Sequence, residues 1–227
     1  MSLPRSRPSL LVLVALTILP SLAAAQAELD TEEKKTLYAL GLALSQQVRN
    51  LGLSVEELET VQLGLVDGAT GREPKVDPQA YMSQIQDFAK LRVSRAAAAE
   101  KTVAAAFLAE KAAAPGAIEK ESGLVIREIT PGTGASPKAT DKVTVHYHGT
   151  LRDGTVFDSS VKRGQPATFA LTQVIRCWTE GLQLMKVGGK SELVCPSDIA
   201  YGDQGRPGIP PAAALVFEVE LLSVESP

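Results

Sequence analysis

The stretch VIRCWTEGLQLMKVGGKSELVCPSDIAYG, residues 174–202, decides how the second half of the chain folds. It reads as a short helix opening near Val174, a turn at Gly188-Gly189, a strand through Leu193, and a loop carrying Tyr201. The chain's only tryptophan, Trp178, falls in that helix. A large ring there supplies an apolar floor, and the Tyr201 hydroxyl supplies one hydrogen-bond donor at a rim. That pairing suits a concave pocket with few polar groups.

The flanks of this stretch alternate as strands do. Leu124 to Ile129 predicts one strand and Pro131 to Gly134 a loop. Val143, Val145 and Tyr147 alternate with Thr144, His146 and His148, which puts Tyr147 on the core side and both histidines opposite. Asp153-Gly154 signals a hairpin turn. Leu215, Phe217, Val219 and Leu221 form the inner face of a closing strand. One helix among several antiparallel strands gives an α+β domain. Its aromatics, Tyr147, Phe157, Phe169, Trp178, Tyr201 and Phe217, fit a packed core as well as a pocket on pattern alone.

The first half is helical. Asp30 with Glu33 has capping-box spacing, and Leu37, Leu40, Leu44, Val48 and Leu51 then recur as one apolar stripe. Ser54 and Glu57 repeat the box before a second helix with Val55, Leu58, Val61 and Leu65 on its inner face, closed by Gly68 and Gly71. Asp77-Pro78 starts a third, and nothing breaks it before Pro115. Tyr81, Ile85, Phe88 and the Arg92 stem mark its first face, and an alanine-rich run follows to Ala114. Those alanines bury little area each, so the stripes are expected to find cover in a second copy of residues 28–114. Pro115-Gly116 marks the boundary with the domain at 115–227.

Composition narrows the function. A net charge of −3 argues against a nucleic-acid binder, which needs a clustered basic surface. Met1 to Ala27 reads as a secretory signal: Arg5 and Arg7, an apolar run from Leu10 to Leu19, and small residues at Ala23 to Ala27. That run is too short for the ~20 residues of a spanning helix. Cleavage leaves a product expected in the periplasm, at the outer membrane or outside the cell. Cys177 and Cys195 are the only cysteines. An even pair in an exported chain favours a disulfide over two buried thiols. His146 and His148 share a strand face, but without a third ligand nearby in sequence no metal site is expected.

Residues 143–224 resemble an FKBP-type peptidyl-prolyl cis/trans isomerase domain. The pieces that carry the resemblance are VTVHYHGTLRDGTVFDSS (143–160), VIRCWTEGLQLMKVGG (174–189), IAYG (199–202) and GIPPAAALVFEVELL (208–222). The segments YALGLALSQQV (38–48) and GLVDGATG (64–71) are similar to the helical dimerisation region of FkpA-like and Mip-like bacterial members. The resemblance implies an FKBP-like antiparallel sheet wrapped on a short helix, a homodimer, proline-containing or unfolded polypeptides as substrates, macrolide inhibitors as ligands, and no cofactor. It implies catalytic roles for Tyr147, Phe157, Asp158, Trp178, Tyr201 and Phe217. Val174, Ile175, Ile209, Phe169 and Arg163 would bind substrate. Ala167 replaces a larger apolar residue of many members, which would widen one wall. The loop at Gly208 to Pro211 is one residue shorter than in eukaryotic members. Cys177 with Cys195 resembles the periplasmic members.

These residue types suit bond rotation without a nucleophile. A prolyl amide turns over a barrier of ~18–20 kcal/mol held up by resonance. An apolar pocket disfavours the charge-separated resonance form, and a donor such as Tyr201 or a backbone N–H near Ile175 can hold the twisted carbonyl. A rival reading is a holdase chaperone, in which the helical dimer binds unfolded clients as its main role. A pure interaction module is the third.

Overall fold

The structure, a computed structural model, describes residues 28–226. The expected leader, Met1 to Ala27, lies outside the described residues.

Helix α1 spans Glu32–Ser45. Its start is one residue later than the expected Asp30 cap. The Thr31 hydroxyl accepts from the Lys34 N–H at 3.2 Å, while the Asp30 carboxylate pairs with the Lys34 ammonium at 2.6 Å. The stripe expected to run on to Leu51 is broken after Ser45 by a turn and a 3₁₀ segment, Arg49–Leu51. Helix α2, Val55–Thr70, does carry the capping box: the Ser54 hydroxyl accepts from Glu57 N–H and the Glu57 carboxylate from Ser54 N–H. Gly68 lies inside this helix. Gly71 alone closes it, in the left-handed conformation.

The third helix opens with a 3₁₀ turn, Gln79–Tyr81, whose Gln79 N–H is held by the Asp77 carboxylate at 3.0 Å. Helix α3 then runs unbroken from Met82–Ala112, about 46 Å at 1.5 Å per residue. Arg92 lies over the Phe88 ring and pairs with Glu57, tying α3 to α2. The faces expected to be inner are uncovered within one chain: Leu37, Leu40 and Leu44 on α1, Val55, Leu58, Val61 and Leu65 on α2, and Ile85 and Phe88 on α3 are all exposed.

Beyond α3 the chain forms one antiparallel sheet. Its strands are β1 (Ala117–Glu119), β2 (Val125–Thr130), β3 (Lys142–Leu151), β4 (Val156–Ser159), β5 (Ala167–Ala170), β6 (Lys190–Cys195) and β7 (Leu215–Glu225). The order is β1-β2-β6-β7-β3-β4, with β5 also paired to β3. The long strands alternate as expected. Val143, Val145 and Tyr147 of β3 are buried, as are Leu215, Phe217, Val219 and Leu221 of β7. The histidines lie on the other face, where each ring Nδ1 meets a serine: His146 with Ser160 at 3.2 Å and His148 with Ser159 at 2.9 Å.

Two helices accompany the sheet rather than one. The short α4, Ser160–Arg163, follows β4 directly. Helix α5, Arg176–Gln183, begins two residues after Val174, with Ile175 extended ahead of it. Its buried face, Cys177, Trp178, Gly181 and Leu182, packs on the sheet with Leu193 and Leu124. Cys177 and Cys195 are joined as a disulfide, Cα to Cα 5.8 Å, which fixes α5 to the end of β6.

Candidate functional site: an aromatic pocket over helix α5

Four strands send rings towards Trp178 of α5. Tyr147 comes from β3, Phe157 from β4, Phe169 from β5 and Phe217 from β7. Trp178 stands edge-on to three of them, with ring centroids 5.2 Å from Tyr147, 5.4 Å from Phe169 and 5.3 Å from Phe217. Phe157 meets Phe217 in the same manner at 5.4 Å. Edge-to-face contacts of this kind hold each ring by its neighbours. The rings are therefore core and wall at once, because they also line a cavity of about 530 Å³. Such a volume lies within the range of small-ligand sites.

One glycine makes the wall possible. Gly149 of β3 pairs with Phe217 and Asp158. A Cβ at that position would sit 2.8 Å from Phe157 Cζ and 3.1 Å from the Phe217 ring. Both rings rest on bare backbone there.

The polar groups are few and placed at the margin. Tyr147 donates its hydroxyl proton to the Asp158 carboxylate and accepts from Arg163 Nη2 at 2.9 Å. Arg163 also pairs directly with Asp158. Burial raises the Tyr147 pKa, and the hydrogen bond to Asp158 adds to the rise. Partial burial pushes Asp158 up, but hydrogen bonds from Tyr147 and Arg163 outweigh it and leave its pKa below the ordinary carboxylate value. At neutral pH this is an ionised, matched pair beside a protonated tyrosine. Also in the lining, the Tyr201 hydroxyl accepts from Arg206 Nη1 at 3.2 Å, which leaves its own proton free to donate. The Trp178 indole N–H is buried and has no partner among the described residues.

Of the residues expected at the site, Tyr147, Phe157, Asp158, Phe169, Val174, Ile175, Trp178, Tyr201 and Phe217 line this one cavity. Two do not. Arg163 is exposed and reaches the site only through Asp158 and Tyr147. Ile209 is 1% exposed and belongs to the core, pulled inward by a tight turn. Ala167 packs on the core beside β3, opposite Val145, and is not in the lining. Gln173 and Arg206 do line the cavity and were not anticipated. No periodicity marks either, since Gln173 is an exposed polar residue ending a single 3₁₀ turn and Arg206 one in a loop.

The chain has relatives among known proteins. A family model described as FKBP-type peptidyl-prolyl cis-trans isomerase matches residues 134–222, and one for the domain amino-terminal to that isomerase matches residues 33–127. The chain belongs to the FKBP-type peptidyl-prolyl cis-trans isomerases. It is 42% identical to the FKBP-type peptidyl-prolyl cis-trans isomerase FkpA of Aeromonas hydrophila over 90% of this chain and 81% of that protein. It is 37% identical to the outer membrane protein MIP of Legionella longbeachae, over 87% of this chain and 88% of the relative. The crystal structure of FkpA from Escherichia coli superposes with a TM-score of 0.64 at 35% identity, covering 87% of this chain and 98% of the other. Like its FKBP-type relatives, the protein is a peptidyl-prolyl cis-trans isomerase. Among the described residues no helix is long and apolar enough to cross a membrane.

Proposed function

We propose that the cavity over Trp178 is where the prolyl bond turns. The observation that carries this is the box of rings around Trp178, three in edge contact with it and Phe157 joined through Phe217, edged by only a few polar groups. The proline ring would lie on Trp178 between Phe157, Phe169 and Phe217, in surroundings that disfavour the charge-separated amide. Tyr201 would donate to a substrate carbonyl. The backbone N–H of Ile175, extended just ahead of α5, would be a second donor. Asp158, held with Arg163, would fix Tyr147 and with it one wall. No bond to the protein is required, since catalysis comes from binding the twisted amide better than the planar one. Macrolide inhibitors of the family would occupy the same cavity.

The exposed apolar faces of residues 28–114 support a division of labour. Leu37, Leu40, Leu42 and Leu44 on α1 and Val61, Leu63, Leu65 and Val66 on α2 are more than a third exposed in a single chain. We infer that this region makes the homodimer and cradles unfolded clients, while residues 115–227 isomerise. The leader-like Met1 to Ala27 and the Cys177–Cys195 bond support export to the periplasm, where disulfides persist.

A protease-coupled proline isomerisation assay on residues 28–227 and 115–227 tests both readings. The short fragment should isomerise peptides, bind a macrolide inhibitor of the family in competition with them, and fail to suppress aggregation of an unfolded protein. The longer chain should sediment as a dimer. A short fragment inert towards peptides would favour the chaperone as the main role.

A further inference from the structure

Two charged residues line the cavity, Asp158 and Arg206, and only one of them is matched. Asp158 pairs with Arg163, while Asp203, three residues before Arg206 in the chain, is taken by Lys101 of α3 at 2.8 Å. Arg206 lines the cavity and has no carboxylate within ion-pair distance among the described residues.

Arg206 is also held rigidly for an exposed side chain. It opens a four-residue turn, Arg206-Pro207-Gly208-Ile209, with Pro and a positive-φ Gly at the two central positions. The Ile209 N–H donates to the Arg206 carbonyl at 2.8 Å, and the Arg206 N–H donates back to the Ile209 carbonyl at 3.0 Å. Buried Ile209 anchors that turn in the core, which is why it leaves the pocket and Arg206 takes the lip. The guanidinium then lies 4.6 Å from the Tyr201 ring centroid and donates through Nη1 to the Tyr201 oxygen. One edge of the fork is committed to tyrosine. The other donors of the fork stay available to an acceptor approaching the mouth.

We propose that Arg206 is a specificity-determining residue that favours prolyl segments carrying an aspartate or glutamate next to the proline. A substrate seated in the cavity brings its flanking side chains over the lip, where an uncompensated guanidinium attracts a carboxylate and repels a lysine. The contact is solvent-exposed, so the preference is modest, about two- to fivefold for acid over base, and it shrinks as salt rises. It acts in the bound ground state as well as the twisted state, so it appears in KM more than in kcat.

The inference rests on the cavity being the prolyl site, and the experiment separates the two. Short peptides with Glu, Ala or Lys immediately before or immediately after the proline are assayed at low and high salt. The wild-type protein is compared with Arg206→Gln, Arg206→Glu and Arg206→Lys. The expected result is a lower KM for the Glu peptide than for its Lys counterpart on at least one side of the proline. That ratio should collapse in Arg206→Gln, reverse in Arg206→Glu and return in Arg206→Lys. The ratio is read within each variant, so a general loss of activity does not obscure it. A Glu-to-Lys ratio that is near one in the wild type, or unchanged by Arg206→Gln, overturns the proposal while leaving the site reading intact. Ala-peptide turnover that survives Trp178→Leu undiminished overturns both.

Discussion

Trp178 follows Cys177 by one residue, so the ring that floors the pocket and the sulfur that binds α5 to β6 leave the same turn of helix. Helix α5 is only eight residues long, and the link to Cys195 closes a loop of 18 residues. Replacing both cysteines by alanine should lower stability by about 3 kcal/mol, the entropy of closing a loop of that size. Denaturant unfolding of the oxidised protein and the double variant measures it. Equal midpoints would show the tie to be dispensable.

Removing the floor should hurt turnover more than removing one donor. Trp178→Leu is expected to lower kcat/KM at least about tenfold, or roughly 1.4 kcal/mol of transition-state binding. Tyr201→Phe deletes one hydrogen bond and should cost about two- to tenfold, in line with 0.5–1.5 kcal/mol per bond. Activity unchanged in both variants would place the prolyl site elsewhere.

Acid should loosen the wall at Asp158. Its folded pKa is lowered, so the stability it contributes is complete above the ordinary aspartate range and is lost as pH falls through the lowered folded value. Tyr147, whose pKa is raised, holds its proton throughout that window. In Asp158→Asn, stability at neutral pH should be lower and the fall on acidification shallower. Unfolding free energy against pH for the two proteins checks the sign, and parallel curves would remove Asp158 from the account.

A single methyl group should disturb the cavity from behind. At Gly149 it meets the rings of Phe157 and Phe217 inside ordinary contact distance. Gly149→Ala is expected to cost about 1–3 kcal/mol as overpacking and to lower kcat/KM as the two rings shift. Wild-type activity and stability together would mean that the rings yield freely.

The cap of α2 offers a test remote from the pocket. Ser54→Ala removes one half of the reciprocal box with Glu57 and should destabilise the chain by about 1 kcal/mol without changing peptide turnover. Thermal unfolding and the peptide assay, run side by side, check both halves of that statement.

Local signals carried most of the fold. Ser54-x-x-Glu57 marked α2, alternation marked β3 and β7, and Asp153-Gly154 marked the turn between β3 and β4. Other features depend on partners distant in sequence. Strand β1 is three residues long and exists because β2 pairs with it, and β5 likewise leans on β3. Asp30 lost the cap to Thr31 because its carboxylate was drawn to Lys34. At the site, rings were visible as residue types, but their meeting at one cavity depends on strands joined across the sheet. Ile209 is absent from the lining, and Arg206 present in it, for a similar reason. A turn decides which of its residues faces in, and the family resemblance, which implied the isoleucine at the ligand, does not fix that.

Helix α3 runs into the sheet with little slack. Only Ala113 to Gly116 separate its last turn from β1, and Lys111 near its end reaches Glu192 of β6 at 3.3 Å, while Lys101 grips the loop at Asp203. Glu100 also pairs with Arg152 at 2.8 Å, so the rod is bolted to the second half at three points rather than hung from a string. Any tilt imparted along its length would be delivered to the aromatic cavity as a change of aim, and a long stiff handle turns small forces at its far end into appreciable torque.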